Sequence, residues 1–268
     1  MALKAILQGF LDTSPLWKKH QLGLQQFTFP EVDIKELGPM DLPGNLRLGH
    51  QMEYVFTHLV NASNNYNVVL SNILVEEGKT RIGELDFILK ERKTSQNIHV
   101  ELAYKFYIIN PEISEPIYRL MGPNRRDMFY TKLDKLKEKQ FPLLHHDSLS
   151  PYWETHNINP TEIQQRCCFK AQLFEPFEQH TSIRPLNPDC ISGNWIRFDD
   201  FNSTAFNSAQ YYLPRKQEWV IAPHTNTPWM THFETLMEVN LRMVKENAPM
   251  LWMKRPSGEI LKLFVVWW

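Results

Sequence analysis

Two short segments of this chain hold residues able to do chemistry. One is residues 81–89, RIGELDFIL; the other is residues 98–109, IHVELAYKFYII. Side chains on a strand alternate between its faces. Read as strands, the second segment puts Ile98, Val100, Leu102, Tyr104, Phe106 and Ile108 on one face and His99, Glu101 and Lys105 on the other. The first puts Leu85, Phe87 and Leu89 together, with Glu84 and Asp86 opposite. Carboxylates on strands this apolar are costly unless they are solvated, paired or bound to a metal. The polar stretch between the segments, residues 90–97, predicts an antiparallel hairpin. A turn centred near Lys93 and Thr94 sets Asp86 opposite Glu101, with Cβ atoms roughly 5 Å apart. Two carboxylates at that spacing suit Mg²⁺, which takes oxygen ligands from one or two carboxylates together with water and phosphate. Glu84 and Lys105 share their face.

The elements that must position these residues follow from periodicity. Leu48, Met52, Val55, Phe56 and Leu59 recur at helical spacing, which predicts an amphipathic helix over 46–62 with Glu53 beside its apolar stripe. Residues 66–75 read as a strand, and Glu76 to Lys79 as a turn around Gly78. A helix followed by three strands is therefore expected, with residues 126–140 forming a second helix. Phe129, Leu133, Leu136 and Gln140 make one stripe on it, and Lys132, Lys135 and Lys139 an adjoining basic one. That basic stripe, with Arg125 and Arg126, suits phosphates; Asp134 and Glu138 make it equally readable as a solvated face.

An Asp on one strand and a Glu followed by a Lys on the next resembles the PD-(D/E)XK nuclease superfamily, over about residues 48–140. The whole chain also resembles an uncharacterised bacterial family placed in that superfamily. The resemblance implies an α+β fold: a restriction-endonuclease-like αβββ core with a mixed sheet, here followed by a C-terminal α+β extension. It implies Asp86, Glu101 and Glu53 as ligands of Mg²⁺ (or Mn²⁺), Lys105 as the cation that assists the attacking water, and Glu53 also as a base through water, with Glu84 supporting them. Two departures stand out. No Pro precedes Asp86, and Ala103 occupies the Lys position, with Lys105 two residues further on. Such residues on a strand lie only about 7 Å apart, so Lys105 is expected to reach back.

Past residue 110 the pattern predicts a loop to 123, a helix over 160–174 opened by Pro160, short strands near 189–201, 211–213 and 218–222, a helix over 231–247 and a closing hairpin from 250 to 267. Residues 3–12 read as a short helix. The texture changes near 178, so the expected division is a nuclease-like domain over 1–178 and an α+β extension over 179–268. The 268 residues suffice for a sizeable core, and 43% hydrophobic against 22% charged residues is a globular composition. Formal net charge is −1, so nucleic-acid binding must come from a local patch.

Three cysteines, Cys167, Cys168 and Cys190, make no disulfide framework. They read as reduced packing residues of a cytoplasmic protein, the first two within the expected helix. The N-terminus lacks a signal-peptide pattern, and no apolar run is long enough to span a membrane. His145, His146, Asp147 and His156 match no zinc spacing. The tryptophans read as core or partner-facing aromatics. No phosphate loop, dinucleotide fingerprint or nucleophile elbow is present.

Three functions stay open at this level. The first is Mg²⁺-dependent phosphodiester hydrolysis of nucleic acid. The second is a catalytically inactive protein of the same fold that binds nucleic acid or a protein partner, which Ala103 favours. The third is an interaction protein whose strand carboxylates merely pair with Lys and Arg. They differ in whether Asp86 and Glu101 face each other across a concave pocket.

Overall fold

The computed structural model describes residues 2–268. In chain order its helices and strands are α1 (Ala2–Asp12), β1 (His20–Gln21), β2 (Leu24–Gln25), α2 (Leu48–Ala62), β3 (Tyr66–Glu77), β4 (Thr80–Glu91), β5 (Asn97–Ile109), α3 (Pro116–Arg119), β6 (Leu120–Met121), α4 (Phe129–Lys135), α5 (Ser150–His156), β7 (Gln164–Pro176), β8 (Ile191–Arg197), α6 (Phe198–Phe201), β9 (Gln210–Tyr212), α7 (His232–Met243), β10 (Met250–Lys254) and β11 (Ile260–Val266). The protein is α+β. Nine strands hydrogen-bond in the order β3-β4-β5-β7-β8-β11-β10-β9, with β6 on β5. The sheet is mixed: β3–β4, β4–β5 and β10–β11 are antiparallel, β7–β8 and β8–β11 parallel.

By contact the chain forms two compact units. One comprises Pro15–Tyr104 and Thr131–Lys170; the other comprises the residues up to Ser14, Lys105–Tyr130 and Ala171–Trp268. The chain thus passes between units after Ser14 and inside β5, α4 and β7.

In the first unit α2 buries Leu48, Met52, Val55, Phe56, Leu59 and Val60, the recurrence that predicted it. It ends at Ser63, whose hydroxyl donates to the Val60 carbonyl at 2.7 Å. Phe56 meets Phe87 of β4 with ring centroids 4.5 Å apart, and Phe27 at 5.8 Å. Burying each such ring contributes about 1.5–3 kcal/mol. β3 turns into β4 through Gly78 at φ +63°, a left-handed conformation that glycine adopts without strain. β4 and β5 pair Phe87 with Val100, Ile88 with His99, Leu89 with Ile98 and Lys90 with Asn97. That register is centred between Lys93 and Thr94, as the sequence predicts. A second core cluster gathers Ile73, Val75, Leu85, Ile88, Leu144, Leu149 and Trp153.

The second unit packs α7 onto β9, β10 and β11. Val239 joins Tyr211, Leu251, Met253, Leu263 and Val265, with Leu236 and Met243 against them. Thr231 caps α7 in a capping box with Glu234.

Several sequence expectations are overturned. Residues 160–174 are not a helix. Pro160 opens only one 3-10 turn, Pro160–Glu162, and the chain then enters β7. From Cys167 to Phe174 every residue of β7 is buried. A strand covered on both faces shows a continuous apolar run, and periodicity alone does not separate it from a buried helix. Cys167 and Cys168 therefore lie on a strand, as buried free thiols. The expected strand at 218–222 is a 3-10 turn, Lys216–Glu218, and its sequel, and the expected loop to 123 holds α3 and β6. The predicted helix over 126–140 is α-helical only from Phe129 to Lys135. It continues as a π-helical turn over Leu136–Gln140 and a 3-10 turn over Phe141–His145.

Candidate functional site

Extending the β4–β5 register by one pair places Asp86 across from Glu101. Hydrogen bonds tie the two together. The Leu102 N–H donates to Asp86 Oδ2 at 2.8 Å, and the Asp86 N–H approaches Glu101 Oε1 at 3.4 Å. The sequence anticipates this face but not its surroundings. β5 is covered on both sides, so His99 and Glu101 are both fully buried.

Burial sets the electrostatics. Desolvation, reinforced by the Glu101 charge, raises the Asp86 carboxyl from its usual range to about 8. Desolvation likewise raises Glu101 to about 7, against the pull of Lys132. His99 is pushed down to about 4 by burial, so its 2.9 Å contact to Glu101 is a hydrogen bond from a neutral ring rather than an ion pair. Its tautomer follows from its partners: Nε2 donates to Glu101 Oε1, while Nδ1 accepts from Gln165 Nε2 at 3.2 Å. Gln165 also donates to the Phe141 carbonyl at 2.7 Å. On the other Glu101 oxygen, Gln140 Nε2 donates to Oε2, and Gln140 Oε1 accepts from Lys132 Nζ at 2.6 Å. The buried carboxylate is thus held from two sides.

Asp86 is only partly buried and lines a cavity of about 400 Å³, together with Glu84, Arg81, Lys135, Lys139, Gln140 and Leu143. Its second oxygen makes no hydrogen bond to any described residue. Glu84 is ion-paired with Arg81. The basic stripe of the sequence reading therefore contributes Lys135 and Lys139 to the same cavity as the carboxylate, and Lys132 to Glu101 through Gln140. Gly83 leaves room for Leu143 against this wall, since a Cβ there would press on Leu143 Cδ1 and turn that side chain aside.

Two expected members lie elsewhere. Lys105 does not reach back to the carboxylates; its amine holds Asp127 at 2.7 Å. Glu53 accepts from Asn72 at 3.0 Å and contacts His50 at 3.3 Å, lining a separate cavity of about 670 Å³. Its charge acts on the Asp86 carboxyl more weakly than burial, Glu101, the Leu102 N–H or Lys132 does. Sequence reasoning missed Gln140 and Gln165. Gln140 was read as a member of an apolar stripe, and Gln165 fell inside the misread helix. His99 was placed on the right face without a role.

Among the described residues no group of three or more His, Cys, Asp and Glu is arranged to hold a metal ion. His146 instead bonds Ser148 and His156 bonds the Tyr152 carbonyl. Only Asp86 opens onto the cavity; Glu101 is fully buried, and both of its oxygens accept hydrogen bonds, from His99 and the Asp86 N–H on one and from Gln140 on the other. Mg²⁺ needs only one or two carboxylates when water and phosphate complete its shell, and two mutually repelling carboxylates would gain from a shared positive charge.

The chain belongs to the family defined by the domain of unknown function DUF1853, whose model covers residues 24–266. No curated protein and no solved structure matches it. No helix is long and apolar enough to cross a membrane.

Proposed function

We propose that the protein is a Mg²⁺-dependent nuclease-like hydrolase acting on the phosphodiester bonds of nucleic acid. One observation carries the reading: Asp86 sits opposite Glu101 on neighbouring strands and opens onto a cavity rimmed by Lys135, Lys139 and Arg81. The order α2-β3-β4-β5 is the one the PD-(D/E)XK resemblance implies. Asp86 and Glu101 would hold the ion, which when bound offsets charge on the scissile phosphate and acidifies a ligated water. The chain's own groups divide the remaining work. His99 and Gln140 fix the Glu101 carboxylate. Lys135 and Lys139 attract and orient the phosphate backbone, a sequence-independent interaction. Lys135, which both lines the cavity and acts on Glu101, takes the cationic role that the sequence reading gave to Lys105. Glu84 holds Arg81 at the rim.

The purified protein with Mg²⁺ or Mn²⁺ should nick or degrade DNA or RNA, and EDTA should stop it. Asp86→Ala should abolish cleavage. Lys135→Ala should lower it about a hundredfold or more, while Lys105→Ala leaves it within a few-fold. Metal-independent cleavage, or cleavage indifferent to Asp86→Ala, sinks the reading.

A second reading has its own support. Both Glu101 oxygens are engaged by neighbouring groups, His99, the Asp86 N–H and Gln140, and Ala103 removes the expected Lys. A protein that binds nucleic acid at Lys135 and Lys139 without cutting it is the outcome if the wild type retains oligonucleotides in a salt-dependent manner and leaves them intact.

A further inference from the structure

Helix α7 is apolar on two sides. Its inner side carries Thr235 and Val239, both fully buried, with Leu236 and Met243 packed against the same core. Its outer side exposes Phe233 (72%), Met237 (58%), Leu241 (62%) and, at the helix end, Val244 (80%). At about 100° per residue these four fall within roughly 80° of the helix circumference, a continuous ridge about 16 Å long. Isolated exposed hydrophobics need no explanation, but a contiguous ridge of large ones marks a binding surface.

The charges beside the ridge indicate what covers it. Glu234, Glu238, Arg242 and Lys245 flank it on one side, acidic toward the N-terminal end and basic toward the C-terminal end. None of the last three forms an ion pair with a described residue. An antiparallel pairing of two such helices that sets Met237 against Leu241 also sets Phe233 against Val244. The same register brings Glu238 to Arg242 and Glu234 to Lys245. One two-fold operation satisfies the apolar and the charged pairs together, the mark of a self-complementary isologous surface. In a parallel pairing the two charged flanks would fall on opposite edges of the interface and not meet.

We propose that the outer face of α7 docks antiparallel on the same face of a second copy of this chain. The ridge is one helix wide, at the low end for a specific interface, so the dimer forms in the micromolar range. Sedimentation velocity of the full chain from about 1 to about 300 µM should show a monomer–dimer equilibrium. Met237→Glu should weaken it at least about tenfold. Glu238→Arg should weaken it at low salt, and Glu238→Arg with Arg242→Glu should restore it to within a few-fold of wild type, because the swap rebuilds both pairs. Circular dichroism guards against misfolding, which these outward positions do not invite. A chain that stays monomeric throughout overturns the proposal. So does a dimer indifferent to Met237→Glu, or a charge swap that fails to restore association. A monomer that instead co-sediments with phospholipid vesicles assigns the ridge to a lipid surface and overturns it equally.

Discussion

At the residue scale the site is defined by the protonation of three touching groups. Asp86 and Glu101 have folded-state pKa values raised to about 8 and about 7. Raised carboxyls contribute stability that is fully present below their ordinary values near 4 and is lost as pH climbs through 7 to 8. His99, depressed to about 4, acts in the opposite sense: its contribution is present above its ordinary value of 6.5 and fades as pH falls through 4. The metal-free protein should therefore be most stable near pH 4 to 5 and lose stability from there to about pH 8, most steeply between about pH 6 and pH 8, where His99 no longer offsets the carboxyls. Asp86→Asn keeps an acceptor for the Leu102 N–H but cannot ionise. It should flatten that loss and stabilise the metal-free protein at about pH 8 by on the order of 1–2 kcal/mol. Urea unfolding at the two pH values checks this; a variant with the same pH slope as wild type would place the raised group elsewhere.

At the element scale the π-helical turn after α4 decides the geometry. Lys132 and Gln140 are eight residues apart and would sit about 80° apart on a regular α-helix. The extra residue in the π turn Leu136–Gln140 brings them onto one side, where Lys132 reaches Gln140 and Gln140 reaches Glu101. Single-turn π bulges of this kind recur at functional sites. Gln140→Ala should remove what the turn delivers, breaking the Lys132–Gln140 pair and taking away the donor on Glu101 Oε2. A buried carboxylate oxygen left unsatisfied costs about 1–3 kcal/mol, so thermal unfolding should shift down by several degrees; an unchanged midpoint would show that the turn is incidental. β7 supports a second prediction. Cys167 and Cys168 are buried on a central strand, and burial raises the Cys168 thiol to about 12. Thiolate is the reactive form, so iodoacetamide should leave both unmodified in the native protein at about pH 8 and alkylate them in urea, as mass spectrometry would read. Rapid native labelling would mean that β7 opens readily.

For the whole molecule the test is linkage between metal and fold. A ligand that binds only the native state stabilises it in proportion to the logarithm of its concentration, about 2.7 kcal/mol at a hundred times the dissociation constant. Millimolar Mg²⁺ at about pH 8, where the carboxylates repel most, should raise the melting temperature of the wild type and leave Asp86→Asn unmoved. Equal shifts in both would assign the metal effect to nonspecific binding. This measurement needs no substrate, so it separates an ion site without activity from the absence of an ion site.

The local pattern was enough for α2, β3, β4 and β5, and for the placement of Asp86 opposite Glu101, while the α+β class came from the resemblance. A polar turn of defined length between two strands of fixed alternation leaves one register that buries the apolar sets together. Other features answered to forces that act across the chain. β7 masqueraded as a helix because a strand covered on both faces loses its alternation. Lys105 found Asp127, a partner with no sequence signal. Gln140 became a carboxylate ligand only through the π turn, and Lys135 and Lys139 joined Asp86 only when α4 and its continuation packed over β4. Periodicity reports which face of an element is apolar. What lies against that face, and hence whether a carboxylate is solvated, paired or poised for a cation, is settled by packing between residues far apart in the chain.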